Sequence, residues 1–306
     1  MLVVIALGGN ALLGRGELPG VGVQEAVARR AAAAIAEIAA DHRVVVTHGN
    51  GPQIGLLALQ SEAVRDLRTY PLDVLGAESE GMLGYMIERE LGNALPGRSV
   101  VSLMTQVVVD VMDPTFRAPT EPVGPVYSED AARKLAATRG WWVGADGTGW
   151  RRVVASPTPR SIVELPAIRI LLDANAVVVC MGGGGIPVVV DTRGSRHGVE
   201  AVVDKDRSSA LLARSLGADA LLLLTDVPAV DAGWGTPDAR PISCATTEEL
   251  RSLKLEAGSM GPKVSAACWF ATTTGGVSGV GSLEDAPAIL GRRAGTIITA
   301  PEHAYA

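Results

Sequence analysis

The chain has 306 residues, 47% of them hydrophobic and 20% charged, with a formal net charge of −6 at pH 7. That length buries a large core, as one α/β unit or two lobes, while the acidic balance and the lack of any basic run longer than two residues argue against nucleic acid or an anionic membrane as a partner. A mean hydropathy of +0.26 points to apolar surface spent on a subunit interface, and Cys180, Cys244 and Cys268, odd in number and without metal-ligand spacing, are expected to be small core residues of a protein in the reducing cytoplasm.

In chain order, Leu2–Leu7 is a buried-strand run. It lacks the basic flank of a signal peptide and meets Gly8 at once, and no apolar stretch is long enough to cross a bilayer. Helical periodicity follows over Val23–Ala40, strand character over Arg43–Thr47, helical patterns at about Ile54–Asp66 and Glu78–Leu91, and a valine-rich strand over Ser99–Val109. From Asp113 to Arg160, six prolines and three of the five tryptophans predict an insertion projecting from the sheet, with a short helix near Glu129–Thr138 and a hairpin around Trp141–Val154. An insertion of this length is expected to act as a lid.

The α/β rhythm then returns: a helix near Val163–Asn175, a strand over Ala176–Met181, a hairpin at Ile186–Asp191, a helix at Asp206–Leu216 and a strand at Ala220–Thr225. A helix starting near Pro262, a strand at Val277–Val280, a helix at Leu283–Leu290 and a strand at Thr296–Thr299 complete the chain. The alternation predicts an α/β fold with a mostly parallel sheet covered on both faces. It is read as a single unit over 1–306, with lobes 1–217 and 218–306 and a protruding subdomain at 113–160.

Three strand runs break into glycine: Leu2–Leu7 into Gly8-Gly9-Asn10, Val44–Thr47 into His48-Gly49-Asn50-Gly51, and Ala176–Met181 into Gly182–Gly185. Glycine lets backbone N–H groups approach an anion without a Cβ in the way, and a following helix adds its dipole. One such loop is a turn any α/β protein needs; three, with Asn in two, predict an anion site at the carboxyl ends of parallel strands. Charge comes from lysine, which is rare here: four against twenty-three arginines. Lys205, between Asp204 and Asp206, and Lys263, after Pro262, both fall at expected helix starts. An ammonium is a compact charge with three donors, suited to a transferring phosphoryl group. A neighbouring carboxylate can orient it, keep it charged or join a Mg²⁺ shell, and Asp206 equally suits a helix start. Lys134 and Lys254 read as solvated surface residues, and His48 as either a base or a locally bonded turn residue. P-loop, dinucleotide, serine-elbow and zinc-helix motifs are absent.

Taken together, Ala6–Leu12, Thr47–Gln53, Tyr70–Val74, Gly182–Pro187, Val203–Asp206 and Gly258–Val264 resemble the carbamate kinases of the amino acid kinase family, over Leu2 to about Thr299. The resemblance implies a three-layer α/β/α sandwich with a mostly parallel central sheet, two lobes and a protruding lid subdomain, usually in a homodimer. It implies reversible phosphoryl transfer between ATP and carbamate, giving ADP and carbamoyl phosphate, often run toward ATP in arginine catabolism. Gly8, Gly9, Asn10, Gly49, Asn50, Gly51, Gly183 and Gly184 would hold the acid and the transferring phosphate. Lys205 and Lys263 would stabilise the phosphoryl group, with Asp206 orienting them; Thr225, Asp226, Val227, Val230, Ser259, Met260, Gly261 and Lys263 would serve the nucleotide. Mg²⁺ would ride on the nucleotide phosphates.

Two positions depart from the family pattern. The lid there carries a lysine in Pro-Thr-Lys-Pro, where this chain has Pro119-Thr120-Glu121-Pro122, and the nucleotide loop's Asp-Ala-Val-Tyr is replaced by Pro228-Ala229-Val230-Asp231. These departures define a second reading, a weakened nucleotide- or metabolite-binding relative. A kinase for another small acid is a third.

Overall fold

The computed structural model describes residues 1–9, 21–63, 70–253 and 260–301. An eight-stranded sheet runs through the middle in the order β15-β17-β16-β12-β1-β2-β9-β3. Its members are β1 (Leu2–Leu7), β2 (Arg43–His48), β3 (Val100–Leu103), β9 (Val177–Cys180), β12 (Ala220–Thr225), β15 (Cys244–Thr246), β16 (Val277–Ser282) and β17 (Thr296–Thr299). All pairs are parallel except β16 with β17. The fully buried burial pattern of β1 and β12 is what a sheet covered on both faces demands.

Alternation divides the strand side chains between two layers. Val3, Ile5, Leu7, Val44 and Val46 face helices α1 (Val21–Asp41) and α3 (Leu72–Ala94), where Ile35, Ile38, Leu83 and Ile87 meet them. Val4, Ala6, Val45, Val178 and Leu223 face α5 (Leu165–Asp173), α6 (Lys205–Leu216) and α8 (Met260–Thr274), with Ile168, Leu212 and Phe270. The fold is thus a three-layer α/β/α sandwich. The sheet is continuous across the position where two lobes were expected to divide, since β12 pairs with β1, and Gly217 is the left-handed C-cap of α6.

The insertion forms its own three-stranded sheet, in the order β5-β7-β6, from β5 (Glu121–Tyr127), β6 (Trp142–Asp146) and β7 (Gly149–Val154), with α4 (Glu129–Arg139) between β5 and β6. The expected helix and hairpin are both present. The strand at Glu121–Tyr127 was not expected; Pro122 and Pro125 are tolerated because β5 is an edge. Gly55 of α2 (Gly51–Ala63) packs against the Gly124 backbone, so β5 lies on that helix.

Ser99–Val109, expected as one strand, is two strands in two sheets. Val100–Leu103 pairs with β9, while β4 (Gln106–Val109) pairs with β8 (Pro159–Ile162) and with β10 (Ile186–Val190), itself hairpinned to β11 (Arg196–Gly198). The described part of α8 begins at Met260, so Pro262 is its third residue and not its first, and the last helix, α9, is only Ala286–Leu290. The pair β13 (Val230–Ala232) and β14 (Arg240–Ile242) and the short helix α7 (Thr247–Ser252) were not foreseen. The end of the second helical pattern, 64–66, lies outside the described residues. Cys180 and Cys268 are core residues as expected, whereas Cys244, on the edge strand β15, is exposed.

Candidate active site

The three glycine breaks converge at the carboxyl ends of adjacent strands. Gly8 donates its N–H to Leu224 O (2.9 Å) and Gly49 donates to Leu7 O (2.9 Å), which stitches the ends of β12, β1 and β2 together. A Cβ on Gly8 would come within 2.8 Å of Leu224 O, and one on Gly49 within 2.8 Å of Gly9 N. The turn at Gly182–Gly184 follows a left-handed Met181 and itself carries positive φ at Gly183 and Gly184. Its Gly183 Cα is covered by the Asn50 side-chain amide, and its Gly184 Cα by the Val203 carbonyl just before Lys205. Among the described residues, no acceptor meets the amides of Gly9, Asn50, Gly51 or Gly183. These amides are the donors left over for an anion.

Lys205 opens α6, and Lys263 lies in the first turn of α8. Their ammonium groups grip opposite oxygens of one carboxylate: Lys205 Nζ bonds Asp206 Oδ1, and Lys263 Nζ bonds Asp206 Oδ2 at 3.1 Å. All three side chains are nearly enclosed, at 11%, 5% and 9% exposure for Lys205, Asp206 and Lys263, so the triad works at low dielectric and carries one net positive charge. Burial opposes ionisation of Asp206, but the two lysines outweigh it and hold the carboxyl below its ordinary range. Burial, seconded by Lys263, lowers the Lys205 ammonium against the pull of Asp206. The helix cap is Asp204, which accepts Arg207 N–H at 2.8 Å; Asp206 is left to the lysines. Each of its oxygens accepts from one ammonium group. Among the described residues no three His, Cys, Asp or Glu side chains converge as metal ligands.

Of the residues expected to serve the nucleotide, Thr225 ends β12 beside Gly8 and donates its hydroxyl to Asp226 Oδ1 (3.1 Å); Val227, Met260 and Gly261 are partly open. Val230 is different: its side chain is wholly buried and its N–H is spent on Thr296 Oγ1 (2.9 Å). Its side chain belongs to the core cluster beneath the site, not to an open surface. Asn10 and Ser259 lie outside the described residues.

His48 resolves toward local bonding. Its ring is fully buried, Nδ1 lies 3.2 Å from Gly49 O, and burial lowers its pKa to about 4. A neutral imidazole in the native state costs stability once the unfolded chain can protonate: the effect is absent above about pH 6.5 and grows as pH falls toward 4. The wild-type chain is therefore expected to lose up to ~3 kcal/mol over that window from this group, and His48→Gln to flatten the loss in urea melts at pH 7, 6, 5 and 4.5. Glu80, raised to about 8 by burial, acts in the opposite sense as pH rises from about 4.5, so the comparison of the two chains, not the wild-type curve, isolates His48. An unchanged slope in the variant would refute the assignment.

Sequence reasoning missed Ser79 and Glu80. Both are buried on α3, where Ser79 interrupts the stripe Leu72, Leu75, Leu83 and Met86. A polar residue on an apolar stripe was the available signal. Glu121 was foreseen, and its carboxyl feels the charges of Asp204 and Arg207 at the entrance to α6. Loss of surrounding water and then Asp204 raise its pKa, against Arg207. A separate cleft of about 520 Å³, lined by Tyr70, Phe116, Trp141, Trp142, Arg152 and Glu200, holds none of the glycine-turn or lysine residues.

Comparison with known proteins follows the same lines. The model of the amino acid kinase family matches residues 1–277. A carbamate kinase of Rhizobium meliloti is 54% identical over 302 residues, covering 98% of this chain and 93% of that protein. One from Haemophilus influenzae is 49% identical over 98% of this chain and 97% of its own length. The solved carbamate kinase of Giardia lamblia bound to AMP-PNP superposes with a TM-score of 0.91 at 40% identity, over 98% of both chains.

Proposed function

The chain belongs to the amino acid kinase family, among its carbamate kinases, and from that premise we propose that the lysine triad and glycine turns move a phosphoryl group between ATP and carbamate. One observation carries this reading: two ammonium groups held on the two oxygens of a single buried carboxylate, beside unspent glycine amides. A carbamate oxygen attacks the γ-phosphorus while the bond to the β–γ bridging oxygen breaks, giving carbamoyl phosphate and ADP. No proton is transferred, so no general base is needed, and a buried neutral His48 is no handicap. What the transfer needs is alignment and charge neutralisation. The amides of Gly9, Asn50, Gly51 and Gly183 face the acid, while Lys205 and Lys263 meet the oxygens that gain charge. The first lobe would carry the acid, and Thr225–Val227 with Met260 and Gly261 the nucleotide. Mg²⁺ would arrive on the nucleotide phosphates.

The test is ATP formation from ADP, Mg²⁺ and carbamoyl phosphate by the purified protein, set beside phosphorylation of carbamate, acetylglutamate and aspartate. Turnover with carbamoyl phosphate is expected. Nucleotide binding without turnover, or faster turnover of another acid, refutes the reading. We further assign the chain to the cytoplasm, to ATP recovery in arginine breakdown and to a homodimer. Exposed Tyr85, Met104, Val111, Met112 and Ile170 supply apolar surface for the last. Among the described residues no helix is long and apolar enough to cross a membrane.

A weakened relative is the second reading, supported by Glu121 lying within the electrostatic reach of Asp204, the residue before Lys205. Replacing this carboxylate with an ammonium reverses the charge offered to a phosphate. Glu121→Lys is accordingly expected to raise kcat/KM for carbamoyl phosphate by about tenfold. An unchanged value makes the lid departure irrelevant to turnover.

A further inference from the structure

Beneath the glycine turn lies a buried acid that phosphoryl transfer leaves without a role. Glu80 is 1% exposed, and its carboxyl accepts the N–H of Gly182 at 2.8 Å and of Thr105 at 3.2 Å. The preceding residue, Ser79, is fully buried; its hydroxyl accepts from Asn50 Nδ2 (2.7 Å) and donates to Gly76 O (2.8 Å). Asn50 in turn covers Gly183. Two consecutive residues of α3 therefore hold two walls of the anion site, the second glycine loop through Ser79 and the third through Glu80.

The bonds within the turn show why this matters. Gly184 and Gly185 donate to Met181 O and Gly182 O, each at 3.1 Å, and Gly182 donates to Glu80. The Gly183 amide is the one these bonds leave over. Four successive glycines have no side chains to anchor them and the largest conformational freedom to lose. Thr105 helps, since its hydroxyl accepts Met181 N–H (3.2 Å) and its carbonyl accepts Ile186 N–H (2.8 Å), but both grips fall outside the glycines. Among the described residues, only Glu80 hydrogen-bonds the run from a distant element. Burial also pushes its carboxyl up to about 8, so at neutral pH it sets little negative charge beside an anion site.

We propose that Glu80 is a positioning residue for the acceptor acid: by tying Gly182 from below it fixes the Gly183 amide beside Asn50, and so sets affinity for the acid but not for the nucleotide. This rests on the phosphoryl-transfer reading above. The experiment is steady-state kinetics of Glu80→Gln and Glu80→Ala with ADP and carbamoyl phosphate varied separately, together with thermal melts. Glutamine keeps an oxygen for Gly182 but sets an amide NH₂ against the Thr105 donor; alanine removes both acceptors. The KM for carbamoyl phosphate is expected to rise about threefold in the Gln variant and about thirtyfold or more in the Ala variant, with kcat falling less and the KM for ADP within about twofold.

An unchanged carbamoyl phosphate KM, or equal rises in both KM values, overturns the proposal. If the Ala variant does not fold, the Gln variant is judged by the same criterion. Hydrogen exchange of the Met181–Ile186 amides reads the tie without turnover: faster exchange confined to that turn in Glu80→Ala supports the proposal, and no change overturns it. A wild-type protein that makes no ATP from carbamoyl phosphate refutes the functional reading instead, and leaves the exchange measurement to judge Glu80.

Discussion

Lys205→Ala and Lys263→Ala are each expected to lower kcat for ATP formation by about a thousandfold or more while nucleotide still binds. The effect is large because both ammonium groups act in a nearly dry site, where a preorganised charge is worth far more than in water. Removing one lysine leaves Asp206 paired with the other, so the fold survives and the loss reads out as catalysis. Lys205→Arg is not expected to restore activity, since a planar fork cannot replace a compact charge between a helix start and a carboxylate. Asp206→Ala behaves differently. It removes the carboxylate that both enclosed ammonium groups share and is expected to cost about 3–5 kcal/mol of stability as well as activity. Kinetics paired with urea melts separates these outcomes, and a Lys205→Ala protein within tenfold of wild-type kcat would contradict the role assigned to it.

Gly184→Ala is expected to destabilise the protein by about 3 kcal/mol or more and to lower activity by at least about a hundredfold. Gly184 has φ of +93°, and an added Cβ would lie 2.9 Å from the Val203 carbonyl carbon, nearer still to its oxygen, and 3.3 Å from the Asp204 carbonyl carbon. Those are backbone atoms at the entry to α6, so relief of the clash must move either the glycine turn or Lys205. Gly194→Ala is the control, because Gly194 also has positive φ, at +83°, but nothing lies within 4 Å of its added Cβ. It is expected to cost only about 1–2 kcal/mol, with activity unchanged. Similar losses in both variants would show that backbone strain, not the clash, is the whole effect.

Legibility followed the range of the interactions. The strands Leu2–Leu7 and Ala220–Thr225 were read to their exact ends because unbroken apolar runs closed by glycine or a polar residue are local signals. Ser99–Val109 was misread for the complementary reason. Valine alternation marks a strand but not its partner, and only the assembled sheets separate Leu103 from Gln106, with the Thr105 hydroxyl donating back to Leu103 O at 2.8 Å. Prolines hid β5, since a sequence cannot say which strand will be an edge. Within the site, the two lysines stood out by rarity and by their place at helix starts. Val230 was assigned to the nucleotide by motif position alone, which carries no information about burial.

Composition, periodicity and glycine placement thus decided the strand–helix order, the α/β class and the location of neutral donors and rare ammonium groups along the chain, all properties of neighbouring residues. The tertiary structure decided what those groups meet. Lys205 and Lys263 share Asp206, and Asn50 and Gly182 rest on Ser79 and Glu80, because sheet order brings distant segments together at one end of the strands. The shifts at His48 and Glu80 likewise arise only when helical layers close over the sheet and remove water, a many-body desolvation that no local pattern encodes.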